Sequence, residues 1–150
     1  MVTSSPARSR PAYAAFLVGT ILLGLASRRF SHWLPWWLAK NAGDILYATM
    51  TFWLAGLLFP RLPTGRAAVA ALLFCVVIEF AKLIQTPGLV AARRTTAGHL
   101  ALGSGFHVSN LVCYGIGILL ATGIEIGTQR QRVQSGPNTR DRGRSARRKD

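Results

Sequence analysis

Long uncharged runs, separated by short polar stretches, dominate the chain between residues 11 and 127. Their apolar residues fall on every side of a helix rather than on one face, a pattern typical of helices that lie in lipid or are deeply buried. A helix needs roughly 20 residues to cross a hydrocarbon core ~30 Å thick, and these runs are close to that length. The sequence therefore predicts an all-α, polytopic membrane protein with four transmembrane helices. The predicted spans are residues 11–27, 38–59, 67–85 and 109–127.

The two ends of the chain are polar. A short basic segment, residues 1–10, precedes the transmembrane domain of residues 11–127, and residues 128–150 follow it. Apart from Val133 and Ala146, this last segment lacks apolar side chains, so it cannot bury enough surface to offset its ordering entropy. We predict that it is a disordered basic tail. The first span also resembles a secretory signal, with basic residues before an apolar stretch, so the sequence allows either its retention or its cleavage.

Basic residues give the chain a net charge of +13, and eight of its 18 Lys and Arg residues lie between Arg130 and Lys149. Four spans place both termini on one side, which then holds twelve basic residues against five on the other. Because Lys and Arg mark the cytoplasmic side, we expect both termini in the cytoplasm. The tail is expected to contact anionic lipid headgroups. It has no aromatic residues between its basic ones and no recognisable nucleic-acid-binding motif, so nucleic acid is not an expected partner.

Charged residues inside the predicted spans are the strongest functional signal. Glu79 lies about 18 Å from the inner start of the third span, in the outer half of the bilayer, and Lys82 follows one turn later on the same face. Asp44 lies at a similar depth in the second span. An isolated charge in hydrocarbon costs ~2.5–3.5 kcal/mol, so we expect these side chains to point into the bundle. Glu125, at the inner end of the last span, is expected at the membrane interface.

Further polar residues converge on the same outer side. The loop between the third and fourth spans is external in this topology and carries Arg93, Arg94 and His99, and Arg28 follows the first span. One interpretation is a polar pocket that opens to the outer face. The other is an internal ion-pair network that only fixes how the helices pack.

Recognisable chemical motifs are absent from the sequence. Its histidines are scattered, without an HExxH pattern, and its glycine-rich stretch ends in no Lys-Ser or Lys-Thr pair. We therefore predict no catalytic residue, no metal ligand and no cofactor. Small residues allow close helix contact in membranes, and Gly115, Gly117 and Gly123 are predicted to serve that purpose in the last span.

Five stretches together resemble a known family: "LGLASRRF", "KNAGDILYATM", "IEFAKL", "RRTTAGHLALGSGF" and "NLVCYGIGI". They look like the small bacterial integral-membrane proteins of domain of unknown function 2809, which are in turn similar to VanZ-like proteins. The resemblance covers about residues 23–120, in order and with sensible spacing. It implies four helices, a multi-pass location in the bacterial plasma (inner) membrane, and no established activity.

The resemblance also implies a set of polar positions. Carried over by position, the family's polar motif falls on Arg28, Asp44, Glu79, an arginine at Arg93 or Arg94, and Gly98. This chain departs from the pattern at two places, because Lys82 stands where a glutamine is usual and Asn110 where an aspartate is usual. Both departures make the site more positive, and Lys82 lies close enough to pair with Glu79 within one helical turn.

These observations favour a non-enzymatic membrane protein whose outer pocket of Asp44, Glu79 and Arg93 or Arg94 engages an amphiphile or a component of the cell envelope. One alternative is a homo-oligomeric transport or channel-like subunit in which Glu79 and Asp44 relay a proton or an ion. Another is a membrane-embedded enzyme, which only the acidic residues and His99 support. The expected partner in every case is the lipid bilayer.

Overall fold

All regular secondary structure in the described part of the chain is helical, as the sequence predicts. The structure, a computed structural model, describes residues 9–84, 86–98 and 106–134. A 3₁₀ turn at Ser31–Trp33 joins the first helix to the second. The long helices are α1 (Arg10–Arg29), α2 (Trp36–Leu58), α3 (Thr64–Ala81) and α5 (Val108–Gln134). Helix α4 (Pro87–Arg94) is short, and residues 96–98 after it are again helical.

Within the described residues, three helices are long and apolar enough to cross a membrane: α1, α3 and residues 108–131 of α5. The remaining predicted span, residues 38–59, corresponds to α2, which is also long enough at 23 residues. Its first half carries Lys40, Asn41 and Asp44, and these polar residues lower its mean hydropathy. Large apolar side chains are exposed on all three apolar helices, as on the outward face of α3, where Val77 is 63% exposed. Such a surface fits lipid far better than water.

Two helix boundaries differ from those predicted. Helix α3 ends at Ala81 rather than at residue 85, because the N–H groups that follow donate to carbonyl groups three residues earlier and tighten the chain into a turn. Thr86 is then extended, with φ −74° and ψ 148°, as expected for a residue that precedes a proline. Helix α5 continues to Gln134, so residues 128–134, predicted as part of the tail, are helical. The rest of that tail and residues 1–8 lie outside the described residues.

Helix α2 is central and packs against α1, α3 and α5. The α1 pairing is antiparallel, because Tyr13 and Phe16 near the start of α1 contact Trp53 near the end of α2, with ring centroids 5.5 and 4.7 Å apart. The α5 pairing is parallel, since Tyr47 meets Tyr114 and, two and three residues further along the two helices, Thr49 donates a 3.0 Å hydrogen bond to the Gly117 carbonyl. We call the end of the bundle where α1 and α3 end and α2 and α5 begin the Glu79 end.

A stripe of small residues explains how α3 packs. Ala67, Ala71, Cys75 and Glu79 follow one another at intervals of four, and each is at most 1% exposed. Residues four apart share one helical face, so small side chains there let α2 and α5 approach closely. Glu79 is the last residue of this stripe, so its carboxylate lies on the buried face of α3 and points into the bundle.

Helix α5 carries a second buried glutamate at the opposite end. Glu125 is 2% exposed, so its side chain is buried between the helices. One of its carboxylate oxygens accepts hydrogen bonds from the Thr64 hydroxyl at 3.1 Å and from the Gln129 amide at 2.9 Å. Thr64 is the first residue of α3, where a negative charge interacts favourably with the helix dipole. The carboxylate therefore ties the end of α5 to the start of α3.

Replacing Thr64 with alanine tests this contact. We expect the free energy of unfolding to fall by about 1.5 kcal/mol, because a hydrogen bond to a charged acceptor is lost while Gln129 continues to hold the carboxylate. Thermal unfolding of the purified protein in mild detergent measures the change. Thr64→Ser retains the hydroxyl and is the matched control. Equal stability of the alanine and serine variants would show that the hydroxyl contributes nothing.

The glycines of α5 do not all serve close packing. A Cβ atom at Gly117 would overlap the Ile45 carbonyl group and lie 3.0 Å from the Ala48 Cβ, so α2 and α5 touch here through their backbones. A Cβ at Gly115 or at Gly123 would meet no atom within 4 Å. The prediction of close contact is therefore confirmed for Gly117 and wrong for the other two.

Candidate functional site

Glu79 is the centre of a buried hydrogen-bond cluster at the Glu79 end of the bundle. Its side chain is 0% exposed. One carboxylate oxygen accepts from the Lys82 ammonium at 2.5 Å and from the Tyr114 hydroxyl at 2.6 Å. The other accepts from the His107 backbone N–H at 2.9 Å and from the Asn110 side-chain amide at 3.2 Å. Four donors on two oxygens satisfy the buried charge, as a carboxylate at this depth requires.

The elements that bring these donors together are the end of α3 and the start of α5. Lys82 caps the C-terminus of α3 and lies one turn beyond Glu79. His107 directly precedes α5 and Asn110 lies in its first turn, so the carboxylate occupies the N-terminus of that helix. Exposed N–H groups and the helix dipole both favour an anion there. The two antiparallel helices thus each contribute a buried glutamate to the first turn of the other.

Tyr114 is the contact that sequence reasoning missed. Its hydroxyl donates to Glu79 and lies 3.4 Å from the Lys82 ammonium, so it completes a triangle of polar groups in the core. A buried tyrosine usually finds a partner for its hydroxyl, and Tyr114 follows Asn110 by four residues on the same helical face. This four-residue spacing between Asn110 and Tyr114 was the sequence feature from which the Tyr114 contact could have been predicted. The His107 N–H left no trace in the sequence, because any residue type offers a backbone donor.

The two departures from the resembled family pattern, Lys82 and Asn110, both contact the Glu79 carboxylate. A cation and a neutral amide therefore stand where a neutral glutamine and a second carboxylate were expected. In this chain the cluster is electrically balanced, since one buried cation faces one buried anion. An aspartate at position 110 would place two carboxylates within hydrogen-bonding distance of each other.

A separate polar group lines a groove beside this cluster. Helices α1 and α3 each pack on α2 but make no extensive contact with each other within the described residues, and a cavity of about 440 Å³ lies between them. This volume is within the ~300–1,000 Å³ range typical of small-ligand sites. We call it the α1–α3 groove. It is lined by Thr20, Ile21, Gly24, Leu25, Arg28, Gly43, Asp44, Leu46, Tyr47, Met50, Thr51, Leu54, Phe74, Ile78, Lys82, Ala97 and Tyr114.

The groove is polar at one end and apolar at the other. Arg28, Asp44 and Lys82 line it at the Glu79 end. Further along, its walls are apolar side chains such as Leu54 and Phe74. Asp44 and Leu54 are ten residues apart on α2, which corresponds to about 15 Å at the helical rise. The groove is therefore elongated, with its charged side chains at one end.

The structure separates the predicted site residues into three groups. Arg28, Asp44 and Lys82 line the groove, whereas Glu79 and Asn110 form the cluster behind it. Arg94 ends α4 and is exposed, outside both the groove lining and the Glu79 cluster. Arg93 lies in α4, and His99 lies outside the described residues. The expected meeting of the loop arginines with Glu79 therefore has no counterpart in the described contacts.

Gly98, the remaining position of the resembled motif, shapes the chain after α4. Its N–H donates to the Thr95 hydroxyl at 3.0 Å, and that hydroxyl donates to the Ala92 carbonyl at 2.7 Å. A Cβ atom at Gly98 would overlap the same carbonyl group. A glycine is therefore required for this turn, which brings Ala97 to the rim of the groove.

Metal chemistry finds no support in the described part of the chain. Across residues 9–84, 86–98 and 106–134, no three His, Cys, Asp or Glu side chains are grouped so that they could hold a metal ion. Cys75 and Cys113 are free and buried.

Comparison with known proteins places these features in a family. Residues 33–118 match the family model described as "Protein of unknown function (DUF2809)". The matched region contains Asp44, the complete Glu79 cluster and most of the groove, but it excludes α1 with Arg28. No solved structure matches the chain significantly. Since the match covers more than half of the 150 residues, the protein belongs to the DUF2809 family of proteins of unknown function.

Proposed function

We propose that the protein is a non-enzymatic membrane protein that binds one lipid-like amphiphile in the α1–α3 groove. The observation that carries this proposal is the groove's gradient from charged residues at the Glu79 end to apolar walls about 15 Å away. An amphiphile placed along it would meet polar groups at its head and side chains such as Met50 and Phe74 along its tail. Because α1 packs on α2 and only weakly on α3, a lipid could enter sideways from the bilayer.

The proposed membrane arrangement has four spans, with α2 as the fourth, in a bacterial plasma membrane. Helix α2 supplies the floor of the groove and the centre of the bundle, so it is enclosed by helices that are themselves apolar enough to span. Enclosure by protein lets a spanning helix carry polar residues that lipid would not tolerate. The segments that begin or end opposite Glu79 hold twelve basic residues, eight of them between Arg130 and Lys149, against five in the segments at the Glu79 end, which supports a cytoplasmic position for both termini. The groove's charged end then faces outward.

Relay of protons by Glu79 is the less favoured function. Its carboxylate accepts hydrogen bonds from four donors and has no exposed surface. These surroundings are those of a side chain that stabilises helix packing. A relay residue must exchange its proton with water or a neighbouring carrier, and Asp44, on the groove wall, meets that requirement better. A single groove-lining carboxylate supports binding rather than a chain of proton carriers.

A tryptophan at Ile78 tests the proposed function, because this side chain lines the middle of the groove. We expect Ile78→Trp to reduce labelling of the protein by a diazirine-bearing phospholipid about tenfold, equivalent to a loss of ~1.4 kcal/mol in binding. Peptide mapping by mass spectrometry should place the wild-type label on α1, α2 and α3.

Val77→Trp is the matched control. Val77 is the neighbouring residue on the same helix and is 63% exposed on the outward face, so its replacement leaves the groove open. Both variants should elute as monodisperse protein on size-exclusion chromatography. If Ile78→Trp and the wild type carry the same label on the groove residues, the groove does not hold the amphiphile and the proposal is wrong.

A further inference from the structure

The charges at the Glu79 end of the groove sum to zero but are not all paired with one another. Glu79 and Lys82 form a buried ion pair at 2.5 Å. Arg28 and Asp44 remain, one cation and one anion on the walls of the same groove. Within residues 9–84, 86–98 and 106–134, neither of these two side chains forms a direct ion pair or hydrogen bond. The groove therefore presents separated, opposite charges rather than a patch of one sign.

Arg28 and Asp44 lie on different helices, and their positions determine how the positive and negative charges are arranged in the groove. Arg28 ends α1, and its guanidinium lies 3.6 Å from the position a Gly43 Cβ would occupy, against the first half of α2. Asp44 is the next residue on α2 and is partly buried in the groove wall. Lys82 lines the same groove from the end of α3. The anion thus lies on the α2 floor, with cations on the α1 and α3 sides.

We infer that the α1–α3 groove selects a phospholipid whose head carries both a phosphate and a primary ammonium group, the head chemistry of phosphatidylethanolamine. This inference rests on the proposed function and names the class of amphiphile. The phosphate pairs with Arg28, whose planar guanidinium suits bidentate binding of phosphate oxygens. The ammonium donates hydrogen bonds to Asp44, and an acyl chain lies along the apolar walls between α1 and α3.

Other headgroups fit this charge arrangement less well. An anionic head without an amine would satisfy Arg28 but leave the Asp44 carboxylate unpaired beside a second negative charge, which costs binding energy. A trimethylammonium head carries the right charge but has no N–H, so it leaves the hydrogen-bonding capacity of the carboxylate unmet. A head with a phosphate and a primary ammonium therefore satisfies both groove charges at once.

A headgroup series on the unmodified full chain tests this inference directly. Diazirine-bearing phospholipids with identical acyl chains and phosphoethanolamine, phosphocholine or phosphoglycerol heads are compared in the protein reconstituted into neutral vesicles of phosphocholine lipid. We expect the phosphoethanolamine lipid to label the groove at least ~10-fold more efficiently than the phosphoglycerol lipid, with the phosphocholine lipid between them. Equal labelling by all three, or preference for either other head, would overturn the inference.

Single substitutions assign the preference to its residues. Asp44→Asn should bring phosphoethanolamine and phosphoglycerol labelling to within about twofold of each other, because the ammonium loses its charged acceptor. Arg28→Gln should weaken labelling by all three phosphate-containing lipids. Arg29→Gln is the matched control, since Arg29 is adjacent in sequence and exposed but does not line the groove. An undiminished preference in Asp44→Asn would contradict the assigned role of the carboxylate.

Failure of the inference and failure of the proposed function give different results. If no lipid labels the groove residues whatever its head, the proposed function itself is wrong. If all lipids label the groove and Ile78→Trp blocks them, but without a headgroup preference, the function stands and only the head selectivity is wrong.

Discussion

Replacing Lys82 with glutamine is expected to destabilise the folded bundle by about 3–5 kcal/mol, the cost of leaving a buried charge without its partner. The Glu79 carboxylate would keep Tyr114, Asn110 and the His107 N–H as donors but lose the cation 2.5 Å away. Glu79→Gln is expected to be similarly costly, because the Lys82 ammonium, which is only 7% exposed, loses the carboxylate it is hydrogen-bonded to. The double variant, which removes both charges, should be more stable than either single variant.

The measurement is a double-mutant cycle of unfolding in mixed micelles, followed by circular dichroism. We expect a coupling energy of at least about 3 kcal/mol between positions 79 and 82, because the double variant should lose less stability than either single variant. Lys40→Gln is the control, because Lys40 is exposed on α2 and its loss should change stability by less than about 0.5 kcal/mol. Additive single variants would show that the ion pair contributes nothing to folding.

The class of fold could be predicted from the sequence. Uncharged runs of nearly membrane-spanning length predicted the long helices, and the charges within them predicted a polar centre on one side of the bundle. Local pattern is strong here because lipid demands apolar residues over whole helices. Helix ends were less predictable: α3 stops at Ala81 because of a turn before Pro87, and α5 continues through residues that are polar except for Val133.

The orientation of Glu79 was also within reach of the sequence. Ala67, Ala71 and Cys75 precede it at intervals of four, and a stripe of small residues in an otherwise bulky helix predicts the packed face. Its pairing with Lys82 follows from their spacing within one turn. Tyr114 and the His107 N–H could not be assigned to it, because their approach depends on where α5 begins relative to the end of α3.

The sequence could not show that the Glu79 cluster and the α1–α3 groove are separate features. Asp44 and Glu79 lie at similar depth and were grouped into one pocket, yet they lie on different helices and face different surroundings. What separates them is that α1 packs on α2 and leaves a space beside α3. Packing of this kind is set by side-chain volumes across three helices rather than by any local pattern. The same packing places Arg28 on the groove wall, whereas Arg94 of the loop is exposed and does not line the groove.

Replacing Gly117 with alanine is expected to lower the free energy of unfolding by about 3 kcal/mol. The added methyl group would overlap the Ile45 carbonyl, which is backbone and cannot turn aside, so α2 and α5 must separate. Overpacking of this kind costs ~1–3 kcal/mol. Separation would also break the hydrogen bond from Thr49 to the Gly117 carbonyl, worth roughly 1 kcal/mol more.

Gly115→Ala and Gly123→Ala are the matched controls, since a methyl group at either position meets no atom within 4 Å. Both should retain wild-type stability to within about 0.5 kcal/mol, as surface substitutions usually do. Unfolding of the three variants is measured under the conditions used for the Lys82 cycle. Because α2 also forms the floor of the α1–α3 groove, Gly117→Ala should reduce lipid labelling there, whereas its two controls should not. Three variants of equal stability would show that α2 and α5 are not in backbone contact at Gly117.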